Sequence, residues 1–393
     1  MRTGVALDVP GASVVDLRGL VVAPGFVDLH VHLREPGKEE AETILTGTMA
    51  AAAGGFTAVA CMPNTTPPND SVATTEFILQ KIREHARVPV YPIAAVTEKQ
   101  QGAVLVPMEE LRAAGAVAFS DDGKPVADSL LMRQALERAA LLGTPVIDHC
   151  EDPSLFRGGA MHEGKVSSRL GIRGIPAAAE EIMVARNIIL AELTGGPVHL
   201  AHMSTSGSMR LIRRAKQNGV RVTAEVTPHH FSLTDEAVAR YGTNAKMNPP
   251  LRTAADVQDV HEAIADGTVD IIASDHAPHH IRTKNVEFHE AAFGIVGLET
   301  SVSLGLDRLV HSGVITLARF VELYSLNPAR ILGISRGIYD GAEANLTVIH
   351  PTRQITIRAT DFQSRSRNTP FDGWNLYGCP VMTICNGEIV WGS

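Results

Sequence analysis

The chain has 393 residues, of which 45% are hydrophobic and 20% are charged, and its net charge is -8 at pH 7. Such a composition predicts a globular protein with room for one large domain and one small domain. Acidic and basic residues are interspersed, no apolar run could span a bilayer and the N-terminus has no signal-peptide pattern, so we expect a cytoplasmic protein without a nucleic-acid or membrane partner.

Residues 1–23 read as short extended pieces that are interrupted at Pro10, Gly11 and Gly19. They are too few for a domain of their own. The C-terminal residues 341–393 also read as short alternating strands between turn residues. We therefore predict a small β-sandwich domain built from the two chain termini, residues 1–23 and 341–393, with the large domain at 24–340.

The stretch from Pro24 to Pro36 reads PGFVDLHVHLREP and alternates apolar with polar residues, which predicts a strand with one polar face. His30 and His32 are two residues apart on that face. Two imidazoles that converge at the end of a strand can begin a divalent-metal site. For an isolated pair, two hydrogen-bonded structural histidines are an equally good interpretation.

Strands and helices then alternate eight times along the large domain. After the first strand, the predicted strands are 57–64, 88–97, 116–122, 145–152, 197–204, 221–230 and 270–278, and the last helical stretch is 298–330. The nearly continuous apolar runs are typical of a parallel sheet that is buried on both faces. We predict an α/β fold of the (β/α)8 TIM-barrel type. A doubly wound open sheet is the alternative, disfavoured because no Gly-rich phosphate loop follows the first strand.

Polar residues stand at the ends of the predicted strands, where barrels of this kind carry their chemistry. These residues are His30, His32, Asn64, Asp121, Asp122, His149, His202, His229, His230, Asp275 and His276. Apolar strands have no packing reason to end in this way so often, so we favour a metal site. We interpret His199, inside its strand, as a core or supporting residue, and His229 and His230 as supporting or structural. Asp148 is expected to point to the opposite side.

Four histidines, Asp275 and a carboxylate from the end of the fourth strand offer nitrogen and oxygen ligands without sulfur. Such a set suits zinc, with manganese, cobalt or iron as alternatives. The spacing does not separate Asp121 from Asp122. A metal-bound hydroxide forms near neutral pH, which predicts hydrolysis at a carbonyl or phosphoryl centre. The four cysteines form no CxxC motif and predict free thiols, and we interpret Cys150 as a packing residue rather than a nucleophile.

Longer motifs resemble those of bacterial type I dihydroorotases, within the amidohydrolase superfamily of metal-dependent barrels. They are HVHLREPG (30–37), CMPNTTP (61–67), FSDDG (119–123), DHCED (148–152), AEVTPHH (224–230), NAKMNPPLR (244–252), SDHAPH (274–279), FGIVGLET (293–300) and SRNTPF (366–371). The resemblance runs from about Val21 to the C-terminus. The family usually has a longer N-terminal arm, so the small domain is expected to lack strands.

The resemblance implies reversible conversion of N-carbamoyl-L-aspartate to L-dihydroorotate in pyrimidine biosynthesis. It implies one or two Zn²⁺ ions, a metal-bound hydroxide as nucleophile and Asp275 as general acid/base. Asp122 would stand where many relatives carry a carboxylated lysine, with Lys124 beyond the strand tip. The implied metal ligands are His30, His32, Asp122, His149, His202 and Asp275. The implied substrate-binding residues are His32, Arg34, Asn64, Asn248, His279, Phe293 and Gly294.

Two other functions stay open at this point. A hydantoinase or allantoinase is disfavoured because both usually carry the carboxylated lysine. An inactive scaffold for aspartate transcarbamoylase is disfavoured because every ligand is present. We expect a small-molecule substrate, a homodimer and, as a candidate partner, that transcarbamoylase. The polar segment 280–291 after the eighth strand is predicted to form a mobile lid.

Overall fold

The computed structural model describes residues 1, 3–4 and 14–392. In chain order the strands are β1 (Val21–Pro24), β2 (Phe26–Val31), β3 (Phe56–Cys61), β4 (Val90–Ala94), β5 (Ala118–Phe119), β6 (Val146–Asp148), β7 (Met161–His162), β8 (Gly174–Ile175), β9 (Val198–Leu200), β10 (Val222–Val226), β11 (Ile271–Ile272), β12 (Leu346–Thr356), β13 (Asn375–Cys385) and β14 (Glu388–Trp391).

The α-helices are α1 (Ile44–Ala53), α2 (Val72–His85), α3 (Met108–Ala114), α4 (Ser129–Leu142), α5 (Pro153–Phe156), α6 (Lys165–Leu170), α7 (Ala178–Thr194), α8 (Ser206–Gln217), α9 (Pro228–Ser232), α10 (Ala237–Tyr241), α11 (Ala254–Asp266), α12 (Ile281–Lys284), α13 (Leu298–Gly305), α14 (Leu317–Val321) and α15 (Asn327–Leu332). Among the described residues, no helix is both long and apolar enough to cross a membrane.

Eight strands form one parallel sheet in the order β11-β10-β9-β6-β5-β4-β3-β2. A parallel bridge also joins Val31, at the end of β2, to His276, which follows β11. There the His32 N–H donates to the His276 carbonyl at 2.9 Å. The first and last strands of the order are therefore linked by main-chain contacts, and the residues that follow them lie side by side.

One buried apolar cluster takes members from strands along the whole sheet order. Val27 of β2 and Ile271 of β11, from the two ends of that order, share it with Ala58, Ile93 and Ile147. Their neighbours in sequence pack in a second, larger cluster that includes helical residues. This double burial explains why the strands read as continuous apolar runs.

The strands β1, β12, β13 and β14 form a separate antiparallel sheet from the two chain termini. Val21 pairs with Ile349, and the Thr347 hydroxyl donates to the Gly55 carbonyl at 2.7 Å, which ties this sheet to the start of β3. The predicted pairing of the two termini is present in this sheet. The described strands here form a single sheet, whereas the predicted sandwich would need two. Residues 5–13, which belong to the predicted sandwich, lie outside the described residues.

The predicted strands and the last predicted helix are longer than the structure has them. The predicted strand 270–278, for example, is reduced to β11. After six of the eight strands, all except β4 and β10, the chain leaves the ladder and a residue that follows lines a shared cavity. The predicted helix 298–330 is divided into α13, α14 and α15, with π-helical turns at Leu306–His311 and Glu322–Leu326. Gly313, with φ of +79°, breaks it after the first π-helical turn.

Candidate metal centre

Five of the six predicted metal ligands form two overlapping groups of potential ligand atoms. His30, His32 and Asp122 make one group, and Asp122, His149 and His202 make the other, with the ligand atoms of each group within 4.8 Å of one another. All five residues are buried. Because Asp122 belongs to both groups, the structure brings strand ends that are distant in sequence around a single carboxylate.

The Asp122 carboxylate lies among four imidazoles. Its Oδ1 is 3.3 Å from His30 Nε2 and 3.5 Å from His202 Nε2, and its Oδ2 is 3.4 Å from His32 Nε2. Its neighbour Asp121 faces the other way and accepts from the main-chain N–H groups of residues 96 and 97. The Lys124 ammonium donates to the Gln100 carbonyl at 3.3 Å, outside both groups. The structure therefore separates Asp122 from Asp121, which the spacing could not do.

Several polar atoms in these groups are buried and have no hydrogen-bond partner among the residues that the structure describes. They include His30 Nε2, Asp122 Oδ1 and His202 Nδ1. A buried polar atom without a partner costs about 1–3 kcal/mol, so such atoms are rarely left together in a protein interior. Imidazole nitrogens and carboxylate oxygens are suitable ligands for a divalent cation, and the donors present therefore fit a metal ion.

Asp275 lies beside the first group. Its Oδ1 is 3.2 Å from His32 Nε2 and 3.5 Å from His30 Nε2. Burial alone would raise the pKa of this carboxyl, but the charges and hydrogen bonds of His30 and His32 outweigh burial and hold the pKa below its ordinary value. Asp275 is thus an ionised acceptor at the edge of the candidate metal site.

Three site residues adopt left-handed backbone conformations that side chains other than glycine rarely adopt. Arg34 has φ of +61°, His202 of +40° and Asp275 of +46°. Each such residue costs about 1–3 kcal/mol, which the surrounding structure must offset. All three lie two or three residues after the end of a strand and line the same cavity, so the strain coincides with the turn that directs their side chains inward.

Glu225 of β10 forms hydrogen bonds with three histidines. It was not predicted from the sequence. It accepts from His30 Nδ1 at 2.6 Å, from His199 Nε2 at 3.0 Å and from the His202 main-chain N–H at 3.1 Å. Burial would raise the pKa of Glu225, but His30 and His199 lower it to about 2. The ionised carboxylate fixes the His30 ring with Nε2 toward Asp122. The only sequence signal was its polarity inside the apolar run 222–226.

Glu225→Gln is expected to weaken metal binding by about 10–100-fold, the usual cost of losing a partner that orients a ligand. The amide keeps the shape but cannot accept two imidazole N–H bonds and a main-chain bond with the same charge. Metal affinity measured by competition with a chelator checks this. Glu181→Gln on α7 is the control, and an equal loss in both variants would contradict a specific role of Glu225.

A cavity of about 250 Å³ opens above the candidate metal site. All seven predicted substrate-binding residues line it, together with Asp122, His149, His202 and Asp275. Glu151 and Phe156 also line the cavity and were not predicted. Glu151 accepts from Asn248 Nδ2 at 3.0 Å, and the Phe156 ring lies 5.9 Å from that of Phe293. Glu151 lies in the DHCED motif after β6 and Phe156 is the last residue of α5, and no pattern in the sequence assigned either of them to the cavity.

Arg34 offers a buried cation to this cavity. Its Nε donates to the Pro278 carbonyl at 3.1 Å, and no carboxylate of the described chain lies within salt-bridge distance. The neighbouring Glu35 accepts from the Ile44 N–H at the start of α1 instead. Burial lowers the pKa of Arg34 to about 10, which leaves the guanidinium charged at neutral pH. Its remaining N–H groups can therefore bind a carboxylate.

The two predicted asparagines contact histidines of the site. Asn64 Oδ1 accepts from His32 Nδ1 at 2.9 Å, which leaves His32 Nε2 facing the carboxylates. Asn248 Nδ2 lies 3.1 Å from His149 Nε2, and its buried Oδ1 has no partner in the described chain. Asn64 therefore orients a histidine, whereas Asn248 still has a free acceptor at the cavity.

The remaining histidines and Cys150 agree with their supporting or packing interpretation. His199 hydrogen-bonds to Thr223 as well as Glu225, and His230 to Thr227 and the Pro249 carbonyl. His229 is also buried. Burial and the charge of Asp148 raise the pKa of the Cys150 thiol well above its ordinary value, so it is no thiolate nucleophile.

Comparisons with known proteins identify relatives that match nearly the whole chain. Residues 19–208 match the family described as Dihydro-orotase-like. The chain is 55% identical over 390 residues to the dihydroorotase of Pelotomaculum thermopropionicum, covering 99% of this chain and 91% of that protein. It is 54% identical over 382 residues to that of Geobacter metallireducens, covering 97% and 90%.

Among solved structures, the L-hydantoinase (dihydropyrimidinase) of Arthrobacter aurescens matches with a TM-score of 0.89 at 24% identity, covering 98% of this chain and 88% of that one. A D-hydantoinase (dihydropyrimidinase) from Thermus matches with a TM-score of 0.81 at 26% identity, with the same coverage. Fold and site together define a hydrolase whose histidine and aspartate clusters, at the ends of parallel strands, can hold metal. The chain belongs to the dihydroorotase family.

Proposed function

We propose that this protein catalyses the reversible ring closure of N-carbamoyl-L-aspartate to L-dihydroorotate in pyrimidine biosynthesis. The observation that carries the proposal is the position of Arg34, a cation with no carboxylate partner among the described residues, in the cavity that also contains the Asp122–histidine groups and Asp275. Such a cavity suits a small cyclic amide that bears a carboxylate. The dihydroorotases to which the chain is about half identical support the same substrate.

We infer that His30, His32, Asp122, His149, His202 and Asp275 hold one or two Zn²⁺ ions, with Asp122 shared between the two groups. When bound, zinc would act as a Lewis acid and lower the pKa of a water molecule to about 7. The absence of sulfur among the donors is compatible with zinc and also with manganese, cobalt or iron.

We infer that Asp275 moves the proton. In the hydrolytic direction its carboxylate takes a proton from the attacking water and gives it to the ring nitrogen when the carbon–nitrogen bond breaks. In the direction of ring closure the same carboxylate takes the proton from the carbamoyl nitrogen. Its lowered pKa keeps it in the basic form at the start of hydrolysis.

We infer that Arg34 binds the carboxylate that is common to substrate and product, because its guanidinium can donate two parallel hydrogen bonds. The free Asn248 Oδ1 would accept a ring or carbamoyl N–H. His279 is expected to act as a neutral imidazole, since burial and the charge of Arg34 lower its pKa to about 2. Its Nε2 donates to the Phe293 carbonyl at 2.7 Å, which leaves Nδ1 as an acceptor.

The metal-loaded protein is expected to hydrolyse L-dihydroorotate faster than hydantoin or allantoin. Initial rates on the three cyclic amides, measured with the same zinc-loaded preparation, check this. Faster turnover of hydantoin or allantoin would overturn the proposed substrate. The metal-loaded chain could instead be inactive alone and become active when aspartate transcarbamoylase is added. That result would assign the activity to a complex of the two proteins.

We also propose that the eight parallel strands close into a (β/α)8 barrel over residues 24–340, with a small β domain from residues 1–23 and 341–393. The bridge between Val31 and His276 supports closure of the barrel.

A homodimer, a cytoplasmic location and a mobile lid at 280–291 remain predictions. Ligand-dependent protection of residues 280–291 from proteolysis would support the lid.

A further inference from the structure

Lys284, at the end of α12, is a buried lysine without an acidic partner in the described chain. Its side chain is 2% exposed. The ammonium donates to three main-chain carbonyls, those of Ala292 at 2.9 Å, Gly294 at 3.0 Å and Lys246 at 3.3 Å. Three carbonyls match the three N–H donors of an ammonium group. Lys284 therefore binds the main chain of the segment that carries Phe293 and Gly294.

A second buried lysine, Lys246, binds main-chain carbonyls a few residues before Phe293 and Gly294. Its ammonium donates to the carbonyls of Phe288 at 2.7 Å and His289 at 3.0 Å. It also lies 4.4 Å from the centre of the Phe293 ring, within reach of a cation–π contact. The Gly294 N–H donates to the Lys246 carbonyl at 2.9 Å, so both polar groups of Gly294 are bound by the protein.

Asn368, from the C-terminal part of the chain, completes the support. Its Nδ2 donates to the carbonyls of Gly294 and Ala277, each at 3.1 Å, and its Oδ1 accepts from the His279 N–H at 3.1 Å. Asn368 is 6% exposed. One buried side chain thus connects the loop after β11, which carries His279, to the segment that carries Gly294.

The position of Gly294 leaves no room for a side chain. Its φ is +120°, and a Cβ atom there would lie 2.6 Å from that of Ala277. Fixing this peptide with buried ammonium groups is costly, since burial lowers the pKa of Lys284 to about 7 and of Lys246 to about 8. An apolar side chain of similar size would pack at lower cost. It would leave the Ala292 carbonyl without a donor and would take one of two donors from each of the Gly294 and Lys246 carbonyls.

We propose that Lys284 and Asn368 are positioning residues for substrate binding, which hold the Gly294 peptide, the Phe293 ring and His279 in place at the cavity wall. The proposal rests on the proposed function, because it assigns these wall residues to substrate contact. Neither side chain is proposed to touch the reacting atoms. Their loss is therefore expected to act on substrate affinity, with little effect on the metal or on proton transfer by Asp275.

The test compares Lys284→Met and Asn368→Ala with Arg282→Met. Arg282 lies on the same short helix and is exposed. Its replacement by Met removes the same charge but no hydrogen bond to the Gly294 segment. We expect KM for dihydroorotate to rise about tenfold or more in the first two variants, with kcat within about threefold of wild type and unchanged zinc content. Arg282→Met should match the wild type, which separates the hydrogen bonds from a general charge effect.

The double variant of Lys284 and Asn368 adds a second measurement. Both residues donate to the same carbonyl, so their effects on KM should be less than multiplicative. If Lys284→Met does not fold, Asn368→Ala alone carries the test. Unchanged KM in every folded variant, or a fall in kcat that follows lost zinc, would overturn the inference. If the wild type prefers another cyclic amide, the proposed function fails, and the same variants are tested with that amide.

Discussion

Asp275→Asn is expected to retain bound metal and to lose about 10²–10⁴-fold in kcat, the usual contribution of a positioned acid or base. The amide is close in size to the carboxylate and fits the same position, where Asp275 Oδ1 now lies 3.2 Å from His32 Nε2. It cannot take a proton from water at neutral pH. The ring nitrogen would then leave without protonation.

The measurement is kcat for dihydroorotate together with metal content of the same preparation. Asp270→Asn is the matched control, because Asp270 lies just before β11 and pairs with Lys216 at 2.6 Å, at the end of the strand that is far from the cavity. Rates like those of the wild type in Asp275→Asn would remove the proposed proton transfer. A loss of activity that zinc addition fully restores would make Asp275 a ligand only.

Asp122→Asn is expected to have the second largest effect, through the metal itself. Asp122 is the one residue that belongs to both candidate ligand groups. An amide has no negative charge to share between two cations or to balance four imidazoles. We expect metal affinity to fall by more than the roughly 10–100-fold that the loss of an orienting partner costs, with activity lost in parallel.

Asp121→Asn is the matched control, since it changes the adjacent buried carboxylate without touching the histidines. Asp121 accepts from the Val96 N–H at 2.9 Å and from the Thr97 N–H at 3.1 Å. The free energy of unfolding of Asp121→Asn should fall by about 1–3 kcal/mol, while the variant keeps its bound metal. Metal content by elemental analysis and thermal unfolding of both variants check this. Loss of metal from Asp121→Asn alone would reverse the assignment of the two carboxylates.

The sequence was informative wherever a short-range pattern determines geometry. Alternation along residues 24–36 placed His30 and His32 on one face. Polar residues at the ends of apolar strands marked His149, His202, Asp275 and one of the pair Asp121 and Asp122 as candidate ligands before any contact was known. These residues needed no knowledge of their partners, because parallel strands bring their carboxyl ends to one edge of the sheet. The family motifs supplied Arg34 and the other predicted substrate-binding residues.

The supporting residues required the tertiary structure. Glu225 binds a histidine 195 residues away, and Asn368 holds a glycine 74 residues away. Periodicity indicates which face of a strand a side chain occupies, but it carries no information about which distant group will lie opposite. Spacing did not separate Asp122 from Asp121; the family motif favoured Asp122, and the packed loops show the two carboxylates facing different partners. The burial of Lys284 without an acid in the described chain and the partners of Arg34 were decided only when the loops packed together.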